Sequence, residues 1–196
     1  MSNVASKMFE EGVSRLQIEE VIKHMPVFEE VLEAINVAGS KSVQQIILSD
    51  ANTVYISHFL ESKGLDKYFS LIVSNPASWS SSGLLLIQPY HRELDDVSDV
   101  IDVKLKCPLC PINLCKGKVL SEIQTTLGSD DRVLYIGDGG NDLCPCLRLR
   151  ECDIVAARKD FRLEQRLTST TLKAKVTYWN DGKALSEIIN KFISDH

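Results

Sequence analysis

Gly137-Asp138-Gly139-Gly140-Asn141-Asp142 concentrates more chemistry than any other stretch of this 196-residue chain. Two carboxylates four residues apart, with glycines between them, offer hard oxygen ligands on a backbone that other groups can approach closely. Such a pair suits Mg²⁺, which takes one or two carboxylates and fills its octahedron with water and substrate phosphate. The same residue types also make plain turns between a strand and a helix. A second group, Ser49-Asp50-Ala51-Asn52-Thr53, offers a hydroxyl and free amides at a helix start. Unpaired amides and the helix dipole favour phosphate there, although Ser, Asp and Asn are equally ordinary helix caps. Lys116, in Asn113-Leu114-Cys115-Lys116-Gly117-Lys118, opens a helix upstream of Asp138. It could offset charge on a phosphoryl group in transfer as a point cation.

The elements that must position these residues alternate between strand-like and helix-like segments. That alternation predicts an α/β protein with a mostly parallel sheet. Leu16, Val21 and Ile22 suggest a short amphipathic helix. Val27, Phe28, Val31, Leu32 and Ile35 repeat at helical spacing, with Pro26 suited to a first turn. Residues 45–49 (QIILS) read as a buried strand, followed by a helix carrying Tyr55, Ile56, Phe59 and Leu60 that stops near Gly64. Residues 69–73 are the next strand, and 84–87 return across a Ser-rich turn as a hairpin. A helix is predicted over 113–127, a buried strand over 132–136 (RVLYI), strands over 153–156 and 176–179, and a last helix over 182–194. Residues 93–106 break the pattern and read as an acidic, exposed insertion. In open parallel sheets, ligands bind beyond the carboxyl ends of strands, which is where both the Ser49 and the Asp138 clusters fall.

Composition sets the outer bounds. Twenty-two basic against 27 acidic residues give a net charge of −5. With no basic block, this argues against nucleic acid or an anionic membrane as a partner. No apolar run is long enough for a transmembrane helix, and residues 1–11 hold no apolar stretch for a signal peptide. Six cysteines are too few for a disulfide scaffold and read as reduced thiols, so a cytoplasmic protein is expected.

Taken together, a strand ending in Ser, then a lysine, then a strand ending in GDGxND resembles motifs two, three and four of the haloacid dehalogenase (HAD) phosphatases. ILSDANTVYI, SNPA, PYH, CPLCPINLCKG and YIGDGGNDLCP are similar to segments of the phosphoethanolamine/phosphocholine phosphatase family and its pyridoxal-phosphate phosphatase relatives. Ala157-Arg158-Lys159 is similar to that family's PRK segment, with Ala in place of Pro. The resemblance runs over about residues 18–193. It implies a Rossmann-like HAD core over residues 36–196 and a remnant of a helical cap over 1–35. It implies that Asp138 ligates Mg²⁺ and that Asp142 supports the metal site. Ser49 would hydrogen-bond the phosphoryl oxygens, with Asp50 and Asn52 near the substrate, and Lys116 would stabilise the phosphoryl group and the attacking carboxylate. The implied reaction is hydrolysis of a small phosphorylated metabolite (phosphoethanolamine, phosphocholine or pyridoxal phosphate) through an aspartyl-phosphate.

The resemblance also calls for an Asp-x-Asp-x-Thr nucleophile motif after a hydrophobic strand, ahead of everything above. It is absent. Asp95-Asp96 and Asp99 to Asp102 have the wrong spacing, Asp130-Asp131 precedes the wrong strand, and no Asp occurs before Ser49. The first, central strand of the family fold is therefore expected upstream of Met1. Its loss would leave ladder groups of its neighbours unpaired at about 1–3 kcal/mol each, against a total stability of about 5–15 kcal/mol. The chain as given is expected to be truncated and inactive.

Two other readings stay open. A nucleophile-less protein would bind a phosphorylated ligand or a partner without turning it over. Alternatively, Cys107-Pro108-Leu109-Cys110, Cys115, Cys144, Cys146 and Cys152 could supply a structural zinc module. The second half, Cys144-Pro145-Cys146, lacks CxxC spacing, so reduced thiols in packing are the expectation. His91 reads as structural, and Trp79 and Trp179 as core or interface residues. Oligomeric state is not readable.

Overall fold

A computed structural model describes residues 2–91 and 107–195; the acidic segment read as an insertion lies outside the described residues. In chain order the helices are α1 (Ser2–Glu10), α2 (Arg15–Lys23), α3 (Glu29–Ser40), α4 (Thr53–Lys63), α5 (Lys116–Gln124), α6 (Leu143–Cys146), α7 (Arg162–Leu167) and α8 (Gly182–Ser194). The strands are β1 (Gln45–Asn52), β2 (Phe69–Asn75), β3 (Ala77–Trp79), β4 (Leu85–Ile87), β5 (Leu134–Gly137), β6 (Ile154–Arg158) and β7 (Lys175–Trp179). This is the expected α/β class with mostly parallel strands, the pattern of a Rossmann-like HAD core. Among the described residues, no helix is long and apolar enough to cross a membrane.

The chain divides into two compact units. The first holds residues 2–27, 44–91 and 112–114. Its α2 starts at a capping box: the Gln17 amide donates to Ser14 Oγ at 3.3 Å, and the Ser14 amide donates to Gln17 Oε1 at 2.8 Å. The buried pair is Ile18 and Ile22, four residues apart on one face, while the predicted face residues Leu16 and Val21 point to solvent. β1 pairs in parallel with β2, Ile46 opposite Leu71 and Leu48 opposite Val73, and the register slips between Leu48 and Asn52. That slip is a bulge that turns β1 through Ser49–Asn52 before the strand ends. α4 then begins on Asn52, whose side chain accepts from the Tyr55 amide at 3.0 Å, and ends at Gly64 with φ 65°. β3 and β4 form the predicted hairpin, with Ala77 opposite Ile87.

The second unit holds residues 28–43, 107–111 and 115–195. Its sheet is parallel in the order β5-β6-β7. Val155, Ala156 and Ala157 of the central strand β6 are fully buried. One side of the core joins Ala34 and Ala38 of α3 to Trp179 and to Leu185, Ile189 and Ile193 of α8. Trp179 is thus a core residue, its Nε1 donating to the Ala156 carbonyl at 3.2 Å. Asp153, also fully buried, fastens the approach to β6 by accepting from the Val133 amide at 2.9 Å and the Arg150 amide at 2.7 Å.

Several boundaries differ from the sequence-based expectation. α3 starts at Glu29 behind the N-cap Phe28, which leaves Pro26 outside the helix. α5 is shorter at both ends, because Cys115 is its N-cap and Thr125 and Thr126 turn their hydroxyls back onto the carbonyls of Glu122 and Ile123. β1 is half-buried over residues 45–51 rather than buried, and Ile136 of β5 is exposed. Among the described residues, each of these strands has a hydrogen-bonded neighbour on one side only.

Candidate active site

In the first unit, one buried asparagine organises the Ser49–Asn52 turn. Asn75 Nδ2 donates to the carbonyls of Asp50 and Ala51, both at 2.8 Å. Its Oδ1 accepts from the Tyr90 amide at 3.2 Å and from Asn113 Nδ2 at 3.1 Å. The amide of His91 in turn donates to the Asn113 carbonyl at 2.9 Å. Pieces quoted separately in the sequence, SNPA, PYH and the Asn113 of the CPLCPINLCKG segment, are therefore one network whose product is the shape of this turn. Within it the Ala51 amide donates to Ser49 Oγ at 3.2 Å. The Ala77 amide donates to Thr53 Oγ1 at 2.9 Å, tying the first residue of α4 to β3. Asn52 is fully buried, and its Nδ2 finds no hydrogen-bond partner among the described residues.

In the second unit, Lys116, Asp138 and Asp142 come together at the carboxyl end of β5. Lys116, the first residue of α5, donates through Nζ to Asp142 Oδ1 at 2.7 Å, and the two side chains are only 10% and 5% exposed. Tyr135 donates its hydroxyl to the same oxygen at 2.8 Å. Asp142 Oδ2 accepts from the amides of Asp138 at 3.1 Å and Gly139 at 2.8 Å. Four donors on one carboxylate compensate its burial and curl the loop around it. Gly137 is required by this curl, since a Cβ there would lie 2.8 Å from Asp142 Oδ2. Burial pushes the nearby Cys146 thiol up to about 12, with the Asp142 charge adding to the effect, so this cysteine stays neutral beside the pair.

Asp138 is the carboxylate that the loop presents outward. It is half exposed, and its nearest cation is Arg158 Nη1 at 4.0 Å. Arg158 is held in place by stacking over Phe161 at 4.1 Å and Trp179 at 5.0 Å. The Leu163 amide donates to the Asp138 carbonyl at 2.9 Å, which ties α7 to the loop and brings Arg162 and Arg166 beside Gly140. Asp138 is the one carboxylate side chain of the loop that could offer Mg²⁺ an oxygen, being half exposed. Asp142 has both oxygens engaged and acts by holding Lys116 and the loop.

Asn75 and Tyr135 lie within the quoted SNPA and YIGDGGNDLCP segments, but the sequence assigns neither a role, and α7 is not read from it at all. Tyr135 sits in an apolar strand and reads as core; only its hydroxyl contact gives it a role.

A family model described as Putative Phosphatase matches residues 1–193. A thiamine phosphate phosphatase-like protein of Arabidopsis thaliana is 36% identical over 199 residues, covering 99% of this chain and 78% of the relative. Inorganic pyrophosphatase 2 of the same plant is 32% identical, covering 99% of this chain and 70% of that protein. Pyridoxal phosphate phosphatase PHOSPHO2 of Mus musculus is 29% identical, covering 93% and 75% respectively. No solved structure matches the chain.

Proposed function

This chain belongs to the Putative Phosphatase family, and we propose that it carries the phosphate- and Mg²⁺-binding part of a phosphomonoesterase for small phosphorylated metabolites. Pyridoxal phosphate, phosphoethanolamine and phosphocholine are the substrates in view, and the names of the relatives add thiamine phosphate and pyrophosphate to the panel.

The observation that carries this reading is the Lys116–Asp142 pair at 2.7 Å. A buried lysine with one N–H on a carboxylate keeps two further donors for phosphoryl oxygens. The same carboxylate shapes the loop that presents Asp138. Bound there, Mg²⁺ would neutralise phosphate charge and orient the ester. At the Ser49 turn, the hydroxyl and the amides that open α4 are the anion-binding groups, Asn75 fixes their geometry, and the buried Nδ2 of Asn52 supports an acceptor at this turn.

Covalent hydrolysis by the family's route also requires an aspartate to attack phosphorus and a second carboxylate to protonate the leaving oxygen and then activate water. No Asp-x-Asp pair occurs in the 196 residues. Among the described residues, β1 pairs only with β2 and β5 only with β6, and each carries half-exposed or exposed apolar residues. The 196-residue polypeptide accordingly binds phosphate and does not turn esters over. Calorimetry with inorganic phosphate and Mg²⁺, alongside phosphate-release assays on the substrate panel, tests both halves. Absence of binding refutes the site, and Mg²⁺-dependent release refutes the inactivity.

The second reading, a protein that binds a phosphorylated ligand or partner and never hydrolyses it, shares this site. The coding sequence immediately upstream of Met1 separates the two. An in-frame hydrophobic strand ending in Asp-x-Asp-x-Thr favours the phosphatase, and its absence favours the binding protein.

A further inference from the structure

Away from Asp138, the second unit gathers four cysteines that the phosphatase chemistry does not use. Sγ atoms of Cys107, Cys110, Cys115 and Cys144 all lie within 4.8 Å of one another. Two of the separations are 3.5 Å for Cys107–Cys144 and 3.9 Å for Cys115–Cys144. Four thiolates bound tetrahedrally to zinc at about 2.3 Å sit about 3.8 Å apart along each edge, so the sulfurs stand close to a tetrathiolate's spacing. Disulfide bonding would bring a pair to about 2 Å, and all six cysteines are free.

The backbone is shaped for the same purpose. Cys107-Pro108-Leu109-Cys110 closes a tight turn in which the Cys110 amide donates to the Cys107 carbonyl at 3.4 Å and the Leu109 amide bonds the Cys107 sulfur. Cys115 is the N-cap of α5, where amides and dipole favour a negatively charged sulfur. Gly117, two residues on, is a glycine that Cys144 demands: a Cβ there would collide with Cys144 Sγ and stand 3.0 Å from its carbonyl. Arg148 Nε lies 3.1 Å from the same point, a cation placed to offset a tetrathiolate's excess negative charge. Cys107, Cys144 and Arg148 also line a depression of about 950 Å³, which gives an ion a route in. The pairing differs from the one sequence spacing suggests, since Cys115 completes the set and Cys146 and Cys152 stand outside it.

The geometry points to a structural Zn²⁺ site formed by Cys107, Cys110, Cys115 and Cys144. Four thiols lose their protons on binding, Zn²⁺ takes four sulfur ligands, and no electron is transferred. With no open coordination position, the ion is structural rather than catalytic. Its effect reaches the phosphate site through the chain. Cys115 precedes Lys116 and Cys144 follows Asp142 by two residues, so the ion clamps both ends of that pair. The inference stands independently of the phosphatase reading.

The test is metal analysis of the full chain purified under reducing conditions without chelator, followed by Co²⁺ exchange. The expected result is one zinc per chain that survives dialysis, and a Co²⁺ form with intense sulfur-to-cobalt charge transfer and tetrahedral ligand-field bands. Cys110→Ser abolishes these bands, whereas Cys152→Ser, which removes an exposed cysteine outside the cluster, leaves them intact. If Cys110→Ser does not fold, the Co²⁺ spectrum of the unaltered chain decides. Zinc lost on dialysis, an iron centre in its place, a Co²⁺ form without thiolate bands, or bands abolished by Cys152→Ser each overturn the proposal.

Discussion

Lys116 Nζ donates to Asp142 Oδ1 at 2.7 Å in a pocket that leaves neither side chain more than 10% exposed. One buried contact joins the start of α5 to the loop after β5, so the lysine's place and the loop's curl depend on each other.

Removing the acid from this pair strands a buried cation. Asp142→Ala also takes an acceptor from the Tyr135 hydroxyl and from the amides of Asp138 and Gly139. Breaking one side of a buried pair costs about 3–5 kcal/mol. Urea denaturation is expected to show a loss of that order, and a loss below about 1 kcal/mol, the scale of an exposed pair, contradicts the arrangement.

The Ser49 turn depends on Asn75 in a different way. Asn75→Ala removes four hydrogen bonds and leaves the carbonyls of Asp50 and Ala51 without this donor. At about 1–3 kcal/mol for each orphaned buried group, the variant is expected to unfold at lower urea and to bind phosphate more weakly. Phosphate affinity equal to that of the unaltered chain would show that the turn holds its shape without Asn75.

Gly117 offers a steric test. Ala at 117 drives a Cβ against Cys144, and overpacking of this kind costs about 1–3 kcal/mol. At Gly128 the nearest atom to a Cβ is Asp131 Oδ2 at 3.4 Å, so Gly128→Ala is the control with little change. Equal thermal midpoints for the two variants would contradict the close approach.

Acid sensitivity has an identifiable source in Asp153. Burial alone would raise its pKa, but hydrogen bonds from the Arg150 side chain and from the Arg150 and Val133 amides outweigh that and hold it below the usual aspartate value. A lowered folded-state pKa means that the group stabilises the fold above its unfolded value, near ~3.9, and that this is lost as pH falls through the folded value. Asp153→Asn is expected to flatten the acid limb of a stability-versus-pH curve below about pH 4. An unchanged acid limb would assign it elsewhere.

What could be read from the sequence, and what could not, follows from the range of the interactions. Asp138, Asp142 and Ser49 stand out in the sequence because each falls in a Gly-, Asp- or Ser-rich cluster at a strand end, although such clusters also make plain turns and caps. The last helix was legible to its ends, since Asp181 caps it through the Ala184 amide at 2.8 Å and its apolar period is unbroken. Leu16 and Val21 misled because an apolar residue on a short helix carries no label for which face is covered. The role of Asn75 has no local signal because its partners lie 15 to 38 residues away, and Tyr135, although only seven residues before Asp142, reads as an apolar strand residue whose hydroxyl contact no spacing marks. All four clustered cysteines were among the zinc candidates, but which four meet was not legible, because Cys115 and Cys144 come together only once α5 and α6 are packed.

The central claim is that the site binds phosphate while these 196 residues lack the carboxylates that hydrolyse an ester. Its most direct test combines phosphate titration by calorimetry with phosphate release from pyridoxal phosphate, both in Mg²⁺, for the unaltered chain and Lys116→Met. The account predicts binding that the variant weakens by roughly 10- to 150-fold, as expected for loss of a charge-assisted hydrogen bond worth about 1.5–3 kcal/mol, and no release from either protein. Release by the unaltered chain that Lys116→Met abolishes, or binding that the variant leaves unchanged, would contradict it.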